Sequence, residues 1–206
     1  MKIFGLEHNY RCDDNSASCP QQPVLIQFSD ISMLASGKPF ILPDDGHEYR
    51  AYPSVAVRID RLGKGIRERF AKRYYSEATF GLSIRDVTLL RRLRANSEPW
   101  DEAVSFDGSA PLGLYTDAAL LFAERARIRI ELSERTADRP FQTIEYSPDR
   151  LMYGIDRAIE MVSRKCTVKN GDIVFAGFMP DGFELYPGLD IRCYLNVRQL
   201  LFSKIR

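Results

Sequence analysis

The chain has 206 residues, enough to bury one sizeable core, and residues 1–206 are expected to form a single domain. With 45% apolar and 28% charged residues it has the composition of an ordinary globular protein, and neither a disordered nor a membrane chain is expected. Its 29 basic and 28 acidic side chains nearly cancel, so no overall field draws it to nucleic acid or to an anionic membrane, and neither is expected as a partner.

The start, MKIFGLEHNY, carries no long apolar stretch of the secretory type, and no run approaches the roughly 20 apolar residues that span a bilayer. A cytoplasmic location is the expectation. Cys12, Cys19, Cys166 and Cys193 lack the spacing of a metal site. Inert thiols are expected, and a cytosolic setting argues against a Cys12–Cys19 bridge.

Taken in order, residues 2–6 read as a strand leading into Glu7-His8-Asn9-Tyr10 and a polar loop over 11–22. Residues 23–28 resume as a strand, and 37–43 are a turn feeding a short extended piece. Residues 51–60 alternate, with Val55, Val57 and Ile59 on one face and Pro53 near the strand's start, where a missing N–H is tolerable. Ile66, Phe70 and Tyr74 have helical spacing and predict a short amphipathic helix over 66–75.

A strand is expected over 79–84 and a basic helical or looped segment over 87–95, whose Arg91, Arg92 and Arg94 read mainly as a solvated face. After a Pro99-Trp100 corner and a tight turn at 106–111, Ile128, Ile130 and Leu132 alternate with charged residues as a half-buried strand. Leu151, Met152, Ile155, Ile159 and Val162 make a helix stripe over 149–162 of the kind that packs on a sheet. Residues 168–175 turn into a strand, and 191–205 close the chain with β character. The expected class is α+β and β-rich.

Several of these words, in this order, resemble the fumarylacetoacetate hydrolase family. They are Asn9-Tyr10, Lys38-Pro39 with Leu42-Pro43, residues 55–59 followed by Arg61-Leu62-Gly63-Lys64, Arg73-Tyr74-Tyr75, Pro99-Trp100, 106–111 and 171–177. The resemblance runs nearly end to end and implies a mixed β-sandwich roll of the C-terminal-domain type, forming a homodimer. It also implies a magnesium or manganese ion on three carboxylates that chelates a 2-oxo acid or 1,3-diketone, since hard cations take oxygen ligands.

This sequence departs from that pattern where the chemistry is. The first two ligand positions fall on Tyr52 and Ser54, and the third on Ser83, or on Gly81 if a two-residue gap is allowed. Neutral hydroxyls do not replace three negative charges around a dication, so no metal is expected there. The water-activating His position is Asp13, with Ser16 near the partner Glu; a usual lysine is Val104; and the substrate loop reads Ala176-Gly177-Phe178-Met179-Pro180.

These changes together imply a family member that has lost catalysis and serves as a binding or scaffold subunit. The alternative is an active enzyme for a 2-oxo acid or acylpyruvate, with a shifted site using Asp13, Glu48 or Asp107 and a rebuilt magnesium or manganese centre. The catalytic candidates are thus Asp13 and Asp107. Tyr10, Arg11, Tyr52 and Arg85 are the candidates for binding a small carboxylate, since guanidinium and phenol groups hold carboxylates without a metal. His8, His47 and Glu48 are expected to be ordinary strand-end and loop residues.

Overall fold

The computed structural model describes residues 1–11, 22–124, 126–137 and 139–206. The strands and helices run β1 (Ile3–Glu7), β2 (Val24–Phe28), β3 (Met33–Ala35), β4 (Pro39–Phe40), β5 (Tyr49–Ile59), β6 (Tyr75–Asp86), α1 (Val87–Ala95), β7 (Ala110–Leu112), β8 (Thr116–Asp117) and α2 (Ala118–Leu121). They continue with β9 (Ile128–Glu134), β10 (Gln142–Tyr146), α3 (Ile155–Lys165), β11 (Ile173–Phe175), β12 (Phe183–Glu184), β13 (Leu189–Leu195) and β14 (Arg198–Ile205).

Two mixed sheets result. The larger follows the order β2-β1-β11-β5-β6-β7-β3, with β12 added on β5 and β8 on β6; the smaller follows β10-β9-β13-β14-β4. Three neighbouring pairs, β1 with β11, β3 with β7 and β4 with β14, are parallel. This is a strand-rich α+β fold with a curled sheet, as the sequence led one to expect.

The main core lies on the face of β5 that carries Val55, Val57 and Ile59, and it includes Phe80, Tyr146 and the buried stripe of α3. Tyr146 is edge-on to Phe80, with ring centres 5.4 Å apart. The opposite face of β5 is buried as well, under a smaller cluster of Ala56, Phe28, Phe175 and Phe178 with Tyr52 at its margin. A strand covered on both sides has no polar face, so the alternation read from the sequence describes only half of β5.

Three local readings are corrected. Pro53 lies inside β5 and not near its start. It is tolerated because its carbonyl accepts from Met179 N–H at 2.9 Å, so its N–H-less edge faces the loop after β11 and costs the β5–β6 ladder nothing. The helix expected over 66–75 is a 3-10 segment, Glu68–Arg73, after which Tyr75 enters β6. Ile66 N–H bonds the Ser163 hydroxyl at 2.9 Å, which holds the chain in a non-helical path, and Phe70 is exposed beneath the guanidinium groups of Arg69 and Arg73.

The late helix starts at Ile155, not near Asp149. The N–H groups of Met152 and Tyr153 bond the carbonyl and the side-chain oxygen of Asn9 at 2.9 and 3.0 Å, so neither enters a helical ladder. Leu151 bridges to Tyr10 instead of continuing a helical turn.

Candidate active site

The ladder between β5 and β6 places Tyr52 opposite Ser83 and Ser54 opposite Gly81, so both alignments of the third ligand position put it across from one of the first two. Arg85, two residues beyond Ser83 on the same side of β6, extends along this face. Its Nε donates to the Ser83 hydroxyl at 3.3 Å, and Nη1 donates to Oε2 of Glu7, at the end of β1, at 3.1 Å.

The second contact completes the pair: Arg85 Nη2 lies 2.7 Å from Glu7 Oε1. Both side chains are deeply buried, 7% and 6% exposed.

Two rings cover the guanidinium, the Tyr52 ring centre at 4.0 Å from the guanidinium carbon and that of Phe178 at 5.2 Å. Each ring rests on a glycine. A Cβ on Gly5 would come within 2.7 Å of the Phe178 ring, and one on Gly182 within 2.7 Å of the Tyr52 ring. Phe178 is also 5.2 Å from the ring of Phe175. The stretch 176–182, which leaves the ladder between β11 and β12, thus carries an aromatic lid onto Arg85.

These residues do not suit a divalent ion at the three positions. The Ser54 hydroxyl donates to Val55 O at 3.0 Å and accepts from Gly177 N–H at 3.2 Å, the Ser83 hydroxyl accepts from Arg85, and the Tyr52 ring is stacked on a cation. The fixed positive charge of Arg85 repels a dication, and neutral hydroxyls already engaged in hydrogen bonds do not supply the negative charge that three carboxylates would.

The structure brings Tyr52, Ser83 and Arg85 together and places the other candidates elsewhere. Tyr10 is buried in the main core, its ring 5.0 Å from Tyr146 and its hydroxyl accepting from Ser147 N–H at 3.1 Å. Arg11 is exposed, with its backbone bonded to Arg150. Asp107 is exposed at a turn whose Phe106 N–H bonds the Ser109 hydroxyl. Asp13, Ser16, Cys12 and Cys19 lie outside the described residues, and Cys166 and Cys193 are free thiols. Val104 is buried beside α1, with Leu89, Leu90 and Leu93.

Glu48 belongs to the surface, paired with Arg50 at 3.3 Å and Arg91 at 2.9 Å. Its neighbour His47 does more than the sequence suggested. His47 Nδ1 is 2.6 Å from Asp86 Oδ2 and 3.8 Å from Asp45 Oδ2, and the ligand atoms of the three residues lie within 4.8 Å of one another, close enough to share one cation. The hydrogen bond to Asp86 raises the His47 pKa above its ordinary value. Asp86 points off β6 to the opposite side from Arg85, so this cluster is separate from the Arg85 site.

His8 has a left-handed backbone, φ 59°, a conformation in which histidine is enriched among non-glycine residues. Its pKa lies below the ordinary value, chiefly through burial, with Arg94 and Arg85 adding to the effect and Glu7 opposing it. The residue missed from sequence is Glu7. Its one signal was an acid closing an otherwise apolar strand directly before Asn9-Tyr10.

The family described as "Fumarylacetoacetate (FAA) hydrolase C-terminal" matches residues 3–199 of this sequence. The chain belongs to the fumarylacetoacetate hydrolase family. Within it, the chain is 24% identical over 185 residues to oxaloacetate tautomerase YcgM of Escherichia coli K12, covering 88% of this chain and 81% of that protein. It is 22% identical to the fumarylacetoacetate hydrolase domain-containing protein 2 homolog of Dictyostelium discoideum, covering 84% of this chain but only 58% of that longer protein.

The crystal structure of fumarylpyruvate hydrolase from Pseudomonas aeruginosa, in complex with Mn2+ and pyruvate, superposes with a TM-score of 0.82 at 19% identity, over 100% of this chain and 89% of that one. At this identity the likeness establishes the shared fold. Among the described residues no helix is long and apolar enough to cross a membrane.

Proposed function

We propose that this family member works on a small 2-oxo dicarboxylate of the oxaloacetate type, by keto–enol interconversion, in the seat formed by Tyr52, Ser83, Arg85, Glu7 and Phe178. The observation that carries the reading is the buried Arg85–Glu7 pair. It is a cation with a planar fork, matched to carboxylate and 2-oxo oxygens, beside a carboxylate able to move a proton. Relatives named for oxaloacetate tautomerisation and for binding pyruvate support the substrate class.

Interconversion asks less of the site than C–C hydrolysis, which also needs an activated water. A site that keeps a cation and a carboxylate is equipped for proton transfer. For this reason retained chemistry at a changed site is a better reading than the lost catalysis inferred from the sequence. The site differs from the shifted one expected there, since neither Glu48 nor Asp107 takes part.

The test is to add the protein to freshly dissolved oxaloacetate and follow the enol absorbance as the keto and enol forms equilibrate. Acceleration proportional to protein concentration is expected. A rate equal to the buffer blank, for oxaloacetate and for acylpyruvates alike, would overturn the reading.

One observation favours a second reading, a chain that binds a carboxylate without turning it over: the rings of Tyr52 and Phe178 already pack against Arg85. Saturable binding with no acceleration would establish it. A cytoplasmic homodimer completes the proposal, and light scattering at twice the chain mass is the expected result.

A further inference from the structure

We propose that Arg85 and Glu7 carry the proton transfer themselves, the guanidinium standing where related chains are expected to hold a divalent ion. This inference rests on the 2-oxo-acid reading above and specifies its chemistry. It starts from the buried ion pair. Arg85 Nη1 donates to Glu7 Oε2 at 3.1 Å and Nη2 lies 2.7 Å from Oε1, in side chains 7% and 6% exposed. Two charges so deeply buried are costly to desolvate, and such a pair is weak evidence for stability alone.

The rest of the guanidinium is fixed. Ser83 takes the Nε hydrogen bond, and the ring centres of Tyr52 and Phe178 lie 4.0 and 5.2 Å from the guanidinium carbon. Movement is therefore confined to the edge shared with Glu7. A 2-oxo carboxylate arriving there offers the fork two adjacent oxygens, one from the carboxylate and one from the 2-oxo group, in place of those of Glu7.

The released Glu7 carboxylate is then a base beside the substrate. It takes a proton from C3, the C3–H bond breaks, and the electron pair shifts through C2 to the 2-oxo oxygen, whose negative charge the guanidinium stabilises. The protonated Glu7 next gives the same proton to that oxygen, forming the enol O–H bond. The substrate is isomerised, nothing is oxidised or reduced, and Glu7 returns to its starting state.

The experiment uses the full chain treated with EDTA and exchanged into metal-free buffer, with oxaloacetate as substrate. The rate is expected to be the same within about twofold in EDTA and in added Mn2+. Glu7→Gln keeps the shape and a hydrogen-bonding oxygen for Arg85 but cannot accept the proton, so kcat should fall about 100-fold or more with little change in KM, the range general-base removal gives. Arg85→Lys keeps the charge but loses the fork, so KM should rise and kcat fall. His8→Asn, tolerated at a left-handed position, controls for the neighbouring imidazole and should stay within a few-fold of wild type.

Near-ultraviolet circular dichroism, together with calorimetric binding of oxalate, shows whether each variant has folded and kept the seat. Activity abolished by EDTA and restored by Mn2+, or wild-type kcat in a folded Glu7→Gln protein, would overturn this inference while leaving the 2-oxo-acid reading intact. Absence of turnover in every metal state would overturn that reading itself.

Discussion

Gly5 and Gly182 set the position of the two rings that enclose Arg85, because neither has room for one more carbon. Gly5 is in β1 with ordinary backbone angles, so its substitution tests packing alone. Gly5→Ala is expected to push Phe178 off the guanidinium and to destabilise the protein by about 1–3 kcal/mol, as overpacking does. Urea unfolding measures the loss, and an unchanged midpoint would mean that Phe178 has room to move aside.

The two histidines make a second residue-scale prediction. The His47 pKa is raised by the Asp86 bond, and the His8 pKa is lowered chiefly by burial. Proton NMR should therefore show midpoints on opposite sides of 6.5. By linkage, the His47 contribution to stability is fully present below pH 6.5 and is lost as pH rises through its folded midpoint. The His8 contribution is present above pH 6.5 and is lost as pH falls through its folded midpoint. His47→Gln should remove the first dependence and leave the second. Identical midpoints for the two rings would contradict both assignments.

At the scale of elements, Asn9 explains more than the motif it belongs to. Its side-chain amide donates to Tyr153 O at 2.8 Å and Ala176 O at 2.6 Å, and its oxygen accepts from Tyr153 N–H. One buried side chain thereby ties the end of β1 to the approach of α3 and to the loop carrying Phe178. Asn9→Ala should cost about 3 kcal/mol, because it strands buried polar groups, and should remove hydrogen-exchange protection from the Tyr153 amide. Retained protection there would show that the anchor lies elsewhere.

The same element shows why some boundaries were legible and others not. The segment over 87–95, read as helical or looped, is helix α1 at those limits, and its start is set locally: the Asp86 carboxylate accepts from Leu89 N–H at 2.8 Å. The start of α3 was misread because its determinant, Asn9, is 146 residues away from Ile155 in sequence. The apolar spacing of 151–162 is real, but distant Asn9 takes the Met152 N–H with its carbonyl and the Tyr153 N–H with its side-chain oxygen, so neither enters a helical ladder. The stripe at Ile66, Phe70 and Tyr74 failed similarly, since Ser163 in α3 fixes its beginning.

For the molecule as a whole, family membership and strand-rich architecture were legible because the turns and corner residues are spread along nearly the entire chain. The candidate site was legible in part. Tyr52 and Arg85, named as carboxylate binders, and Ser83, named as a ligand position, lie together because β5 and β6 are long and regular, so a position along them translates directly into a place on the sheet. Glu7 could not be named, because its partner is 78 residues further on, and only the β1–β11–β5–β6 order brings them together. Of the carboxylates favoured from sequence, Asp107 is exposed at a turn whose spatial neighbours the sequence does not specify, and Asp13 lies outside the described residues.

What unites the fold and the site is one buried ion pair spanning the larger sheet from β1 to β6. Removing either partner would leave an uncompensated charge in the core, so simple loss of activity in such a variant would say little. The most direct measurement is a calorimetric titration of oxalate, a planar stand-in for the 2-oxo-acid enolate, into the wild-type chain in EDTA. The account predicts saturable binding at one site per chain, with an affinity that added Mn2+ leaves unchanged. Binding that appears only when Mn2+ is present would contradict it, and would mean that a metal, not Arg85, is the cation at the centre of this site.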